Sequence, residues 1–194
     1  MKSETIVIGI LCFALGVMTA VVLPKYFKPT EVDITNQMPA PPPPQNAPAP
    51  SANLIAAVKQ LESLVKNDPN NLKLRLQLGH AYFDSGAYGK AIPEYELYLE
   101  KNPDDADVRT DLGICYRRTG NSQRAVEEFE KAAKSNPNHL NSRLNAGIVS
   151  YYDLKDFPRA LKNWESYLKI APADSRAQEI RKKIDEIKAI LGEK

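Results

Sequence analysis

The sequence predicts an all-α protein in which helix-turn-helix repeats follow a single transmembrane helix. Three observations support this prediction: a regular interval between prolines, a matching set of residues inside each interval, and one long apolar run near the N-terminus. The chain has 194 residues, of which 43% are hydrophobic and 26% are charged. This composition suffices for one folded domain and a peripheral segment.

The apolar run extends from residue 6 to residue 23 and contains 18 residues without a charge. Because a helix rises about 1.5 Å per residue, the run spans roughly 27 Å, close to the hydrocarbon thickness of a bilayer. We therefore expect residues 1–5 to form a short tail and residues 6–23 to cross the membrane once. The alternative is a signal peptide cleaved near Ala20. It is disfavoured because Met18 is large where a small residue is needed and because the run continues to Leu23.

The charges that flank this segment do not decide its orientation. Lys2 and the amino terminus, offset by Glu4, oppose Lys25 and Lys28 in the positive-inside count. A short tail, one span and a long tether resemble the bacterial signal-anchor arrangement. On that resemblance we expect a single-pass protein of the inner (cytoplasmic) membrane, with its folded domain facing the periplasm.

Residues 24–52 are predicted to form a proline-rich tether. Seven of the twelve residues from Pro39 to Pro50 are proline, a composition that favours the polyproline II conformation over a packed core. At about 3.1 Å per residue, the tether could hold the domain up to roughly 90 Å from the membrane. The alternative role is a ligand for an aromatic-lined groove, and only the proline run itself supports it.

Beyond the tether the sequence repeats itself. The prolines Pro69, Pro103, Pro137 and Pro172 are separated by 34, 34 and 35 residues, an interval typical of stacked repeats. The first two repeats share these residues at matching positions: Leu78-Gly79 and Leu112-Gly113, Tyr82 and Tyr116, Ala91 and Ala125, Tyr95 and Phe129. The third repeat carries Ala146-Gly147, Tyr151, Ala160 and Trp164, with one extra residue between Pro137 and Tyr151. That extra residue leaves the register of the third repeat's first helix open.

This pattern resembles the tetratricopeptide repeat family. The resemblance implies a right-handed superhelix in which each repeat pairs a helix A with a helix B, and small residues let the two helices approach closely. The predicted segments are an N-terminal packing helix (53–70), repeat 1 (72–105), repeat 2 (106–139), repeat 3 (140–174) and a C-terminal capping helix (175–192). We expect a capping box at Ser175 to Gln178 at the start of the last helix. A coiled-coil seam is the alternative role for the apolar stripe of that helix.

The resemblance further implies a concave groove, lined by the helices A, that binds a peptide or helix of another protein. The family's groove positions correspond here to Lys73, Leu76, His80, Phe83, Asp84, Asp107, Thr110, Ile114, Arg117, Arg118, Asn145, Val149, Tyr152 and Asp153. We expect an apolar floor beside a cationic wall of Arg117 and Arg118, and hence a partner with an apolar segment and acidic residues. The carboxylate clamp of some family members needs Lys and Asn where this chain has Leu76, His80 and Ile114, so chaperone C-termini are not expected partners.

Several residues could suggest chemistry, but none forms a recognisable site. His80 and Asp84 lie one turn apart, as a pH-sensitive pair or a solvated contact. Cys115 is expected to be a buried apolar residue, and His139 lies in a loop without a partner in sequence. The sequence contains no phosphate-binding glycine loop, metal-ligand spacing or nucleophile elbow. We therefore expect no enzymatic activity and no cofactor.

The charge pattern argues against nucleic acid as a partner. The 26 basic and 24 acidic residues are interspersed and give a net charge of +2, without a basic stripe. The sequence thus predicts a membrane-tethered scaffold for protein–protein interaction in a bacterial cell-envelope or respiratory (cytochrome) assembly. The alternative is a self-assembling, homo-oligomeric scaffold, in which the N-terminal helix or the C-terminal stripe docks into a neighbouring molecule.

Overall fold

The structure, a computed structural model, describes residues 50–192. The predicted tail, the transmembrane segment 6–23 and the tether up to residue 49 lie outside the described residues. Within residues 50–192 the regular elements are all helical, and no helix in this range is both long and apolar enough to cross a membrane. In chain order the elements are α1 (Ala52–Asn67), α2 (Leu72–Asp84), α3 (Tyr88–Lys101), α4 (Ala106–Arg118), α5 (Ser122–Ser135), α6 (Leu140–Ile148), a π-turn (Val149–Asp153), α7 (Phe157–Ile170) and α8 (Ala177–Leu191).

The helices pack in consecutive antiparallel pairs. Helices α2, α4 and α6 are the helices A of the three repeats, and α3, α5 and α7 are the helices B. Helix α1 packs on α2 at one end of the stack, and α8 packs on α7 at the other. Every helix contacts its neighbours in sequence, as expected for a repeat architecture. The buried apolar residues form two clusters, one mainly in the first two repeats and the other in the third repeat and α8.

Helix A crosses helix B at a glycine in each repeat. A Cβ atom added to this glycine would lie within 3.0 Å of an atom of the aromatic ring on helix B, which real Cβ atoms essentially never do. The pairs are Gly79 with Tyr95 (2.8 Å), Gly113 with Phe129 (2.6 Å) and Gly147 with Trp164 (2.1 Å). The predicted close approach of helices A and B at a small residue is therefore confirmed, and in each repeat an aromatic ring of helix B lies against the glycine.

Each helix A begins at a residue whose side chain caps it, and these capping residues recur every 34 residues. Asn71 and Asp105 accept a hydrogen bond from the backbone N–H three residues later. His139 occupies the third position in this series, and its Nδ1 accepts from the N–H of Ser142 at 3.3 Å. The expectation that His139 lacks a partner is therefore wrong, because a neutral imidazole nitrogen can replace the carboxylate or amide oxygen of a cap.

The extra residue of the third repeat is absorbed by the π-turn Val149–Asp153. Gly147 keeps the 34-residue spacing from Gly113, whereas Tyr151 is displaced by 35 residues from Tyr116. The π-turn is closed by a hydrogen bond from the N–H of Leu154 to the carbonyl of Val149, five residues earlier. A π-turn inserts one residue into a helix without ending it. The register of the third repeat's first helix therefore changes within the π-turn: the 34-residue spacing holds up to Val149, and the 35-residue spacing holds from Tyr151 onwards.

The turns from helix A to helix B need a residue in the left-handed conformation. Gly86 (φ 75°) and Gly120 (φ 84°) supply it in the first two repeats. In the third repeat Lys155 (φ 56°) stands at this position. Residues with a side chain adopt this conformation at a cost of about 1–2 kcal/mol, so the third repeat carries local backbone strain.

One arginine in each helix A forms a hydrogen bond with the loop that precedes the helix. Arg75, Arg109 and Arg143 donate hydrogen bonds to the carbonyl oxygens of Pro69 (2.6 Å), Pro103 (2.6 Å) and Pro137 (2.9 Å), respectively. The first two arginines also pair with glutamates of helix B, Arg75 with Glu94 and Arg109 with Glu128. These hydrogen bonds hold each repeat-closing proline against the following helix A. The sequence pattern alone had given the proline a single role, that of ending helix B.

Helix α8 covers the last repeat with an apolar stripe. Ala177, Ile180, Ile184 and Ile187 are buried. The predicted capping box does not form, because Oδ1 of Asp174 accepts from the N–H of Arg176 at 2.9 Å and stabilises a turn there. The helix consequently begins at Ala177, without a side-chain cap.

Candidate functional site

The candidate site is a stripe along the helices A, referred to below as the concave stripe. Its members recur at three- and four-residue intervals, so that they share one face of each helix. In order along the chain they are Lys73, Gln77, His80 and Asp84 of α2, Asp107, Asp111, Ile114 and Arg118 of α4, and Asn141, Asn145 and Ile148 of α6, followed by Tyr152 in the π-turn. Most are exposed or half-buried polar residues, a composition suited to binding rather than to core packing.

His80 connects the first two repeats within this stripe. Its Nδ1 lies 3.0 Å from the hydroxyl of Tyr95 and 3.7 Å from Oδ2 of Asp111 on α4. The side chain is 46% exposed and that of Asp111 is 31% exposed. The predicted partner, Asp84, is therefore replaced by Asp111, because the Tyr95 hydroxyl holds the imidazole towards the second repeat.

The carboxyl group of Asp111 lies in an acidic part of the stripe. Burial is the main cause that raises the pKa of Asp111 to about 6, and the protonated form of His80 opposes this rise. The carboxylates of Asp107, Asp84 and Asp105 add to it. Asp111 is thus a carboxylate whose ionised form the fold itself disfavours, a property that often marks a binding position.

Arg117, one of the two arginines of the predicted cationic wall, is paired with a carboxylate. Nε and Nη2 of Arg117 donate to the two carboxylate oxygens of Asp153 at 2.7 and 3.0 Å, and the guanidinium is only 15% exposed. Arg118 lies over the ring of Tyr88, 5.9 Å from its centroid. The expectation of a cationic groove wall is therefore wrong for Arg117, because the π-turn brings Asp153 within reach.

Two other predicted groove residues belong to the interior. Thr110 is buried, and its hydroxyl donates to the carbonyl of Ala106 at 2.7 Å. Val149 is fully buried in the core. The prediction for Val149 is wrong because it applied the 35-residue spacing to the first residue of the π-turn, where the 34-residue spacing still holds and makes Val149 equivalent to the buried Cys115.

The remaining predicted residues divide between the surface and the core boundary. Lys73 and Asp84 are exposed, and Asp107 is exposed beside Nε2 of His139 at 3.0 Å. Asn145 is half-buried and donates to the carbonyl of Asn141. The apolar residues Leu76, Phe83, Ile114 and Tyr152 are half-buried and pack against the core, so they supply an apolar floor. The hydroxyl of Tyr152 is buried without a hydrogen-bond partner among the described residues.

The chemistry of the stripe follows from the side chains that it presents. Within residues 50–192, no group of three His, Cys, Asp or Glu side chains is placed to hold a metal ion. Burial raises the pKa of the Cys115 thiol to about 12, which keeps it protonated and unreactive at neutral pH. What the arrangement can do is form hydrogen bonds, ion pairs and apolar contacts with a bound chain.

Sequence reasoning missed five residues of this site, namely Gln77, Asp111, Asn141, Ile148 and Tyr95. Gln77 and Asp111 follow Lys73 and Asp107 by four residues, so helical spacing alone could have placed them on the concave stripe. Tyr95 was assigned to packing, which its ring performs. The contact of its hydroxyl with His80 depends on the A–B crossing and has no signal in sequence.

Comparison with known proteins agrees with this geometry. The family model for the tetratricopeptide repeat matches residues 53–106 and 76–139. A crystal structure of MamA is 22% identical to the chain, with a TM-score of 0.64 over 72% of this chain and 80% of its own, which establishes a shared fold alone. A structure titled MamA AMB-1 is 26% identical, with a TM-score of 0.62 over 72% of this chain and 74% of its own. No curated protein matches the chain by sequence.

Proposed function

This chain belongs to the tetratricopeptide repeat family, and we propose that it is a membrane-tethered scaffold that holds a segment of another protein against its concave stripe. The apolar run 6–23 is the proposed anchor in the inner membrane, and the proline-rich tether presents the repeats to the periplasm. The proposed setting is a cell-envelope or respiratory (cytochrome) assembly. Binding, not catalysis, is the proposed activity, since the chemistry of the stripe consists of hydrogen bonds, charges and apolar contacts.

The observation that carries this proposal is the half-buried carboxylate of Asp111. Its neighbour is His80, whose Nδ1 lies 3.7 Å from Oδ2, and the exposed carboxylates of Asp84 and Asp107 share this part of the stripe. A lysine or arginine from a partner would neutralise this cluster at the point where the first two repeats meet. The proposed partner therefore offers an apolar segment for the floor and at least one basic side chain for Asp111.

Removal of the negative charges tests this proposal. The full-length protein and its Asp84→Lys, Asp111→Asn double variant would be used to capture partners from solubilised membranes at about 0.01 and 0.15 M salt. We expect the variant to retain less partner, with the larger difference at low salt, because the Debye length falls from about 30 Å to about 8 Å between these conditions.

A matched control separates the stripe from general charge effects. Asp104 is also an exposed aspartate but lies in the turn after α3. Asp104→Lys should leave capture unchanged. Equal losses in both variants would show that overall charge, not the concave stripe, controls binding.

A self-assembling scaffold is the second candidate, and one observation favours it. On α1, which has no helix A of its own among the described residues, Ile55 and Leu64 are 45% and 39% exposed. Such residues could pack against a second copy. Light scattering of the full-length protein and of Ile55→Ser, Leu64→Ser would test this candidate. A mass that does not change between the two proteins would contradict self-assembly through α1.

A further inference from the structure

A second groove lies between α7 and α8, away from the concave stripe. Two adjoining cavities of about 400 and 490 Å³ form it, and they share Glu165 and Lys169 in their lining. The lining residues of α7 fall within residues 158–169, a length of roughly 17 Å at the rise of an α-helix. Leucine and isoleucine side chains contribute apolar surface from both helices: Leu161, Leu168, Ile184 and Leu191.

The earlier repeats show what fits a groove of this kind. There, the space beside one helix B and the following helix A is filled by the next helix B, and at two of these positions the incoming helix brings a cation to a glutamate of the helix already in place. Lys90 lies 3.5 Å from Glu62, and Arg159 lies 2.6 Å from Glu130. The α7/α8 groove occupies the next such position, and among the described residues no further helix fills it. Its shape therefore selects a helix about three turns long.

The charge of the groove differs from that of the earlier ones. Glu165 continues the glutamate series of Glu62 and Glu130, but Lys188 of α8 already lies 3.0 Å from it. Lys162 and Lys169 of α7 are exposed along the groove, and Arg181 of α8 adds a third charge at its edge. These cations outnumber the remaining exposed carboxylate, Asp185.

This charge balance excludes the chain's own α1 as a suitable occupant. Helix α1 is a helix B by its spacing, but its exposed charges include Lys59 and Lys66. Its only carboxylate, Glu62, already accepts a hydrogen bond from the Tyr82 hydroxyl. Helix α1 of a second copy would thus bring its lysines against the lysines of the groove. A helix with glutamates or aspartates beside its apolar stripe would complement the groove instead.

We propose that the α7/α8 groove is a second docking surface, which binds an amphipathic helix of a partner protein that carries acidic residues on both sides of an apolar stripe. This surface lies on α7 and α8, whereas the concave stripe lies on the helices A and the π-turn. It would therefore allow the scaffold to hold two segments at the same time. The proposal does not depend on what the concave stripe binds.

The test uses a pair of synthetic helical peptides and purified full-length protein. One fluorescein-labelled peptide of about four turns carries leucines at three- and four-residue intervals, flanked by glutamates. The other has lysines in place of the glutamates. Fluorescence anisotropy should show the acidic peptide binding about ten-fold more tightly or better, with a difference that shrinks as salt rises.

Variants then locate the binding. Lys162→Glu with Lys169→Glu should weaken the acidic peptide about ten-fold, and the neutral pair Lys162→Gln with Lys169→Gln should weaken it by a smaller factor. The control, Lys66→Glu with Lys101→Glu, reverses two exposed lysines in the last turns of α1 and α3 and should leave affinity within about two-fold. Circular dichroism confirms that each variant keeps its helicity. Absence of binding, equal affinity for both peptides, or an equal loss in the control would overturn the proposal.

Discussion

Replacement of Gly147 by alanine tests the helix crossing at its tightest point. The new Cβ would lie 2.1 Å from Nε1 and 2.2 Å from Cδ1 of Trp164, whereas real Cβ atoms essentially never approach within 3.0 Å. The indole is 2% exposed, and its centroid lies 5.5 Å from that of the Tyr151 ring, so it has little room to move. Overpacking of this kind typically costs 1–3 kcal/mol, and we expect about 3 kcal/mol at Gly147 because rigid aromatic atoms must be displaced.

The assay is urea unfolding of the full-length protein followed by circular dichroism, with the glycines of the series as internal standards. The clearances predict that Gly147→Ala costs more than Gly113→Ala, and Gly113→Ala more than Gly79→Ala. Gly89→Ala is the matched control, since nothing lies within 4 Å of its added Cβ and it occupies a helix. It should stabilise the protein by up to about 1 kcal/mol. If Gly147→Ala matched Gly89→Ala, the crossing geometry would be refuted.

Three further predictions concern the turn between α6 and α7, the concave stripe and the cap of α6. Lys155→Gly should raise the free energy of unfolding by about 0.5–1 kcal/mol, because it relieves the left-handed lysine; an unchanged thermal midpoint would contradict this. The pKa of Asp111 is raised in the folded state, so its contribution is favourable below pH 4 and is lost as the pH rises through about 6. Asp111→Asn should therefore be more stable than wild type at pH 7 by about 1–2 kcal/mol and lose this advantage at pH 4, as urea titrations at both pH values would show. His139→Ala should cost about 1 kcal/mol by removing the α6 cap, whereas His139→Asn should not, and equal chemical denaturation midpoints would refute this role.

The sequence predicted the fold because each repeat carries its own geometric signals. Prolines at a regular interval end the helices B, and a glycine opposite an aromatic ring fixes each crossing. The position of the extra residue was harder to predict, because the proline interval and the displaced Tyr151 only confine it between Pro137 and Tyr151. Gly147 narrows it further, since it keeps the 34-residue spacing. That comparison was available in the sequence and would have moved Val149 from the groove to the core.

The charge arrangement of the site was less predictable than its location. Helical spacing places residues on the concave stripe, but ion pairs depend on the distances between repeats. Arg117 meets Asp153, 36 residues later, only because the π-turn shifts the end of the third helix A. His80 turns to Asp111 rather than Asp84 because Tyr95 lies beside it on helix B. Such contacts depend on the packed repeats, and no local pattern encodes them.

Photocrosslinking in intact cells shows whether the concave stripe binds a partner protein. A photoreactive residue would be placed at Gln77 or Asn141 of the stripe and, as controls, at the exposed Glu100 or Glu127 of helices B. We expect both stripe positions to capture one and the same foreign protein and the control positions not to capture it. Capture of that protein from the helix B positions alone, or crosslinks only to a second copy of this chain, would contradict this expectation.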